Sequence, residues 1–322
     1  MVYTFPSKTP SDNTFRPENH VSKEEISAIQ RAQGEFPFLI SPGWQKAANW
    51  QDRNDPLRRQ FLPHPDEWRN APNFVSDPLN EQENQAAPGL LIKYSGRALL
   101  LASSTCPVHC RYCFRRHNTQ QAPTSMTDWQ PALMQIRARQ DLKEVILSGG
   151  DPLMLPEALL LEMLAALSDI PHIRRIRLHS RALVARPERV TGRIIAGLTD
   201  MRPNAIIVAH INHVREITHA AAVTLTGLAR IGMPVLSQSV LLRGVNDRWQ
   251  TLAELCERVV DLGVMPYYLH LLDPVAGSAH FMVPEPEALT LMKELRANLP
   301  GYAVPRLARE VPNEPAKRVL AG

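Results

Sequence analysis

Cys106, Cys110 and Cys113 stand at a CxxxCxxC spacing in STCPVHCRYCFRRHN (residues 104–118), and two arginines and a histidine follow them directly. Thiolate is a soft ligand, so three of them within eight positions point to a metal centre. A structural zinc site closes its tetrahedron with four protein ligands, and an iron–sulfur cluster usually takes four thiolates. Two completions follow. Either His117 supplies a fourth zinc ligand, as in a CCCH finger that reads RNA, or three thiolates hold a cubane of iron and sulfide whose fourth iron is left for a substrate. Cys256 is no rival ligand: in LAELCERVV it falls on the apolar face of a helix, where a buried thiol is inert.

Three thiolates need a rigid rim to converge on. From about residue 97 the sequence turns to short apolar runs separated by amphipathic helices, the pattern of parallel strands joined by helical crossovers. The strands are expected at 98–103, 144–149, 173–179, 205–210, 235–240 and 266–272, with helices such as EALLLEMLAAL and TLAELCERVVDLG between them. Six such units predict an α/β protein built as an incomplete (βα)6 barrel. In barrels of this kind the chemistry sits on the loops after the strands. The cysteines follow the first strand, SGGDP the second, HSR the third, HINH the fourth and LDPVAG the sixth, and SQSV lies in and after the fifth. Reactive and glycine-rich clusters thus share one rim.

The chain of 322 residues carries 44% hydrophobic and 21% charged residues with a net charge of +4, the balance of an ordinary soluble globular protein. No stretch reaches 18 uncharged apolar residues, so no membrane span is expected. The start, MVYTFPSKTPSDNTF, lacks the marks of a secretory signal, which places the protein in a reducing cytoplasm with its cysteines as thiols. Basic residues alternate with acids along most of the chain; they suit small anionic ligands and give no reason to expect nucleic acid. The first 90 residues hold eleven of the 28 prolines and three of the five tryptophans, with one helix announced by the capping box Ser22 and Glu25. They read as a lead-in layer, mainly helical. The expected organisation is therefore residues 1–90 as that extension, 91–283 as the partial barrel and 284–322 as a carboxy-terminal helix and closing segment.

The CxxxCxxC loop after the first strand resembles that of the radical S-adenosylmethionine (SAM) enzymes, and SGGDP resembles their second motif. That resemblance implies a [4Fe-4S] cluster on Cys106, Cys110 and Cys113, with SAM on the open iron, Gly149 and Gly150 admitting its methionine part and Asp151 taking its ammonium. A narrower resemblance covers residues 73–317. DPL, PGLLIKYSGRALLL, CRYCFRRH, VILSGGDPL, HINHVREIT, SQSVLLRGVND, PYYLHLLD and GYAVP are similar, in order, to the lysine 2,3-aminomutases. It implies a second cofactor, pyridoxal 5′-phosphate (PLP), on Lys317 in EVPNEPAKRVL, its phosphate on Lys93, Tyr94 and Arg97. Arg115 is then matched to the substrate carboxylate, Asp273 and Glu310 to the far ammonium of L-lysine, and His210, Asn212 and Gln238 to the SAM side of the site.

The implied reaction moves the amino group of L-lysine from C2 to C3. Phe114, the short length and the EPAK ending resemble the branch that makes (R)-β-lysine for translation elongation factor P. The same resemblance implies an electron donor such as flavodoxin or ferredoxin, brings in elongation factor P or its lysyl ligase as partners, and leaves room for a homo-oligomer. The chain departs from the family where Pro312 and Asn313 replace the usual glycines before the lysine, and where Glu310 replaces an aspartate. Alternatives are an aminomutase of the same superfamily acting on glutamate or arginine, and the zinc-dependent RNA-binding protein.

Overall fold

The computed structural model describes residues 21–118 and 121–322. The stretch MVYTFPSKTPSDNTF, read above for a leader, lies outside the described residues. Three short helices come first: α1 (Lys23–Ala32), capped by the expected Ser22 and Glu25 box, α2 (Pro42–Ala47) and α3 (Pro56–Phe61). Ten strands then form one sheet whose spatial order follows the chain. They are β1 (Gln85–Ala87), β2 (Leu90–Leu91), β3 (Arg97–Ser103), β4 (Glu144–Gly149), β5 (Arg175–Ser180), β6 (Asn204–His210), β7 (Val235–Val240), β8 (Met265–His270), β9 (Arg306–Arg309) and β10 (Arg318–Ala321).

The six expected strands are β3 to β8, and β3 through β9 pair in parallel. At the two edges β1, β2 and β10 pair antiparallel, and the order ends at β1 and β10, leaving the barrel open along one side. The crossovers carry α4 (Met126–Ala138), α5 (Glu157–Ser168), α6 (Ala182–Ala185), α7 (Gly192–Asp200), α8 (His219–Arg230) and α9 (Trp249–Asp261), and α10 (Glu285–Asn298) precedes β9. The closing segment after α10 returns to the sheet twice, as β9 and β10. Within the described residues no helix is long and apolar enough to cross a membrane.

The residue pattern of β5, RIRLHS, shows how the barrel sorts its faces. Ile176, Leu178 and Ser180 are buried while Arg175, Arg177 and His179 keep partial exposure, the alternation of a strand with one apolar and one polar side. Glu144 of β4 takes Arg175 at 3.1 Å and also pairs with Arg177, so like charges on one strand are neutralised from the next. The principal core joins Leu100, Leu147, Ile176 and Ile207 to the helices, and Trp44, Leu57 and Phe61 of the lead-in layer belong to it. Burial of such large side chains contributes about 1.5–3 kcal/mol each. The lead-in layer is therefore packed onto the barrel, with the Trp44 indole N–H donating to the Glu216 carbonyl at 2.9 Å.

Candidate active site

The cysteine loop leaves β3 and is fastened from below by the lead-in layer. Arg111, fully buried, donates to both Glu67 oxygens at 2.9 and 2.6 Å, and Arg116 donates to the same carboxylate at 2.6 Å. Burial pushes the Glu67 carboxyl up, and the two guanidiniums outweigh it and bring its pKa below the usual range. With both arginines turned to the frame, Cys106, Cys110 and Cys113 remain half-buried on the rim. Burial pushes all three thiols up, Cys113 to about 11; Cys106 and Cys113 also feel the charge of neighbouring cysteines, while Arg181 pulls Cys110 back down. Without a cation they stay protonated; a metal centre supplies the charge that draws them into thiolates. His117 turns elsewhere, its Nε2 lying 2.9 Å from the Ala276 carbonyl.

Strand β4 ends against that loop, and this contact explains its glycines. Gly149 has φ of +103°, and a Cβ there would lie 2.8 Å from the Ser103 oxygen; one on Gly150 would lie 2.5 Å from the Thr105 oxygen. They admit the start of the cysteine loop. Asp151 is 2% exposed, and its carboxylate accepts from Ser180 Oγ at 2.9 Å and from the N–H groups of Leu153, Arg181 and Ala182 at 3.0, 2.7 and 2.8 Å. These bonds tie the side chain expected to take an ammonium to the ends of β4 and β5. Asn212, 1% exposed, is likewise a core residue, bonded to Gln60, Tyr112 and the Val240 N–H. Beside it Arg181 stacks over Trp44 and Phe61, pairs with Glu216 at 3.0 Å and brings a buried cation close to Cys110.

At the other side of the mouth Glu310, just past β9, gathers three of the expected residues. Lys93 reaches it at 3.0 Å, Lys317 at 2.8 Å, and the Tyr94 hydroxyl donates to it as well. Burial pushes Glu310 up, but Lys317, Tyr94 and Lys93 outweigh this and hold it at about 2. Arg97 lays its guanidinium 4.5 Å from the centre of the Tyr94 ring. Lys317 stands at the foot of β10, 5.6 Å from the Tyr268 ring centre, with Asp273, His179, His210 and His270 around it. Asn313, where the family uses glycine, adopts φ of +61°, a conformation asparagine tolerates, so the turn before Lys317 keeps the left-handed residue that glycine would give. Asp273 is the unpaired member of this group. Its carboxylate has no hydrogen-bond partner among the described residues, and burial raises it to about 7, opposed by Lys317 and supported by Glu310 and Glu81.

Three features were not visible in the sequence. Glu81 grips Arg115 in a fork, 2.8 Å to Nε and 2.6 Å to Nη2, leaving Nη1 against Ser148 Oγ and the Gly149 oxygen at 3.3 and 3.4 Å. Val75, six residues before Glu81, bonds across to Pro274 and Ala276 at 2.9 Å, so the same segment also clips the loop of Asp273. His179 places Nδ1 3.1 Å from Nε2 of His210, and its own Nε2 is buried without a partner. Gln238 pairs in register with His210 along the neighbouring strand. No motif announces a pair of residues more than thirty positions apart.

A family model described as the radical SAM superfamily matches residues 100–256, the span from β3 into α9. The L-lysine 2,3-aminomutase of Escherichia coli K12 is 43% identical over 97% of this chain and 91% of its own length. The chain belongs to the lysine 2,3-aminomutase family. The L-lysine 2,3-aminomutase of Clostridium subterminale is 34% identical over 91% of this chain and 70% of its own. Among solved structures, that of Streptococcus suis SuiB bound to S-adenosylmethionine has a TM-score of 0.51 at 12% identity over 68% of this chain, a likeness of fold. This chain spans about half the length of that protein, 51%.

As a member of the lysine 2,3-aminomutase family the protein is an isomerase, and the zinc finger reading is overturned: the cysteines sit on the rim of a radical SAM barrel with His117 directed to a carbonyl. The residues present fit the family's groups. Three thiols with no fourth at hand suit a cluster with one open iron. Two cations and a hydroxyl around Lys317 suit a phosphate-bearing aldehyde.

Proposed function

We propose that this protein converts L-lysine to (R)-β-lysine, with Cys106, Cys110 and Cys113 holding a [4Fe-4S] cluster and Lys317 holding PLP. The observation that carries the reading is Asp273: a half-buried carboxylate without a hydrogen-bond partner among the described residues, beside Lys317 and within the field of Glu81, the residue that grips Arg115. Cluster and SAM, once bound, supply a hydrogen-abstracting radical, and PLP carries the migrating nitrogen. The chain's own residues orient and exclude. Lys93 and Arg97 take the phosphate and Tyr94 supports it; Arg115 holds the substrate carboxylate; Asp273, with Glu310, holds the far ammonium and so sets C3 towards the radical source. His210 and Gln238 face the SAM side. His179 holds His210 in one orientation. A thiol-ligated, oxygen-sensitive centre suits the cytoplasm, a low-potential carrier such as flavodoxin or ferredoxin suits the cluster, and Phe114 with the short EPAK ending supports delivery of the product to elongation factor P through its lysyl ligase. A homo-oligomeric assembly goes with this reading.

The test is anaerobic reconstitution followed by incubation of L-lysine with SAM, PLP and dithionite. Chiral chromatography is expected to show (R)-β-lysine, and borohydride reduction with peptide mapping to place the pyridoxyl label on Lys317. Faster formation of β-glutamate or β-arginine in parallel incubations with L-glutamate or L-arginine, or a label on another lysine, refutes the assignment.

Glu81 enters as a positioning residue. Its charged fork fixes the Arg115 guanidinium, and a hydrogen bond to a charged group contributes about 1.5–3 kcal/mol. Glu81→Gln keeps the shape and removes the charge. The variant is expected to raise KM for lysine about tenfold, roughly one such bond's worth, with kcat within about twofold, because the arginine holds substrate without touching the migrating nitrogen. Equal loss in kcat would show that Glu81 acts on the chemistry instead.

A further inference from the structure

A second concavity lies behind the cysteine loop, away from Lys317, lined among others by Arg53, Arg59, His64, His280 and Phe281. Its donors are unusual. Arg59 Nε and both ring nitrogens of His280 are buried without a hydrogen-bond partner, and Arg59 makes no ion pair among the described residues. Its guanidinium lies across Gly244, whose φ is +71° and where a Cβ would stand 2.6 Å from it, so the glycine gives the arginine its place. Arg58 in the same wall is already neutralised by Glu25 at 2.5 Å. Arg53 and Arg59 against Glu24 leave one cation in excess at the groove. The excess cation favours an anionic partner, met by the exposed Arg53 and the partly exposed Arg59.

The floor of the groove leads inward. His64 stacks on His280 with ring centres 5.4 Å apart, His280 meets Phe281 at 4.1 Å, and Phe281 meets the Tyr112 ring edge-on at 6.0 Å. Cys110 packs into the cluster formed by Tyr112, Leu242, Val245 and Phe281. Closely packed rings therefore run without a break from an exposed histidine to a cysteine of the rim.

We propose that this groove is the docking surface for an acidic protein carrying a flavin or an iron–sulfur centre, which passes one electron along this packed route to the centre held by Cys110. The inference rests on the cluster reading above. In the step the carrier is oxidised by one electron and the cluster is reduced by one; no bond forms and no proton moves. Carboxylates of the carrier meet Arg59 and Arg53, and complementary charge of this kind governs association rate and salt dependence.

The test uses the cluster-loaded enzyme and reduced flavodoxin. Arg59→Glu is expected to weaken flavodoxin binding about tenfold at low salt, to slow flavodoxin-driven cluster reduction in the same measure, and to leave reduction by dithionite, which needs no docking, within about twofold. Arg53→Glu, at an exposed position that bears little on folding, shifts both in the same direction by less. Unchanged flavodoxin binding in both variants, or equal slowing with both reductants, overturns the docking surface. So does a loss of self-association in sedimentation velocity with flavodoxin binding intact, which would assign the groove to a second copy of this chain. A wild type with no dithionite-reducible cluster overturns the reading beneath it instead, and the two failures are told apart by the iron and sulfide content before any flavodoxin is added.

Discussion

Cys110→Ala is expected to abolish both the cluster and turnover. A cubane held by three thiolates keeps one iron open; with two it loses a second anchor, and iron and sulfide after reconstitution should fall from about four of each per chain to under about one. The matching control is Cys256→Ala. Cys256 is 5% exposed on α9, and burial pushes its thiol up to about 12, so it is a neutral core side chain. Its removal should cost about 1 kcal/mol of stability and leave the brown colour unchanged. The contrast matters because Cys110 also has structural neighbours: Tyr112 and Arg181 pack around it, and a fall in melting temperature alone would not separate ligation from packing. Metal content with the fold intact does separate them. A Cys110→Ala protein that still binds about four irons and cleaves SAM would sink the ligand assignment.

How much of this was legible beforehand depended on the range of the interaction. β3 to β8 were readable because each is a run of six or seven residues with an apolar face. β1, β2, β9 and β10 have two to four residues each, too few for a period to show, and they exist because the sheet edge offers them partners. Local caps were readable for the same reason: Ser22 and Glu25 are three residues apart and bond as their types require. Asp151 and Asn212 show the opposite limit. Both stand in rim motifs that a ligand could claim, and both are bonded to the frame, Asp151 to Ser180 and the amides after it, Asn212 to Gln60 and Tyr112. A sequence shows the polar group, whereas only the folded chain shows which groups it bonds. Glu81 was silent because its meaning is Arg115, and Glu310 carried one expected role but holds Lys93, Tyr94 and Lys317 together.

Asp273→Asn should separate recognition of lysine from every other step. Around this carboxylate stand Lys317 and Lys93 as cations and Glu310 and Glu81 as anions, and burial sets it at about 7. An ammonium between Asp273 and Glu310 favours the ionised form. The sign follows: below pH about 7 the carboxyl carries its proton and binds the cation poorly, and as pH rises through that value a proton is lost and the site turns anionic. Wild-type kcat/KM for lysine is therefore expected to rise across the neutral range, and the asparagine variant, with nothing there to titrate, to lose that limb of the profile. Breaking one partner of a buried pair costs about 3–5 kcal/mol, so KM for lysine should rise roughly 100-fold or more. For 2-aminohexanoate, of the same length without the charge, the variant should differ from wild type by less than about threefold, because a neutral end never met the carboxylate. Covalent PLP on Lys317 and SAM cleavage stay as they were, since Lys317 is held by Glu310 and the cysteines lie across the mouth. Parallel loss towards both substrates, or an unaltered pH profile, would show that Asp273 does not read the charge at the end of the chain.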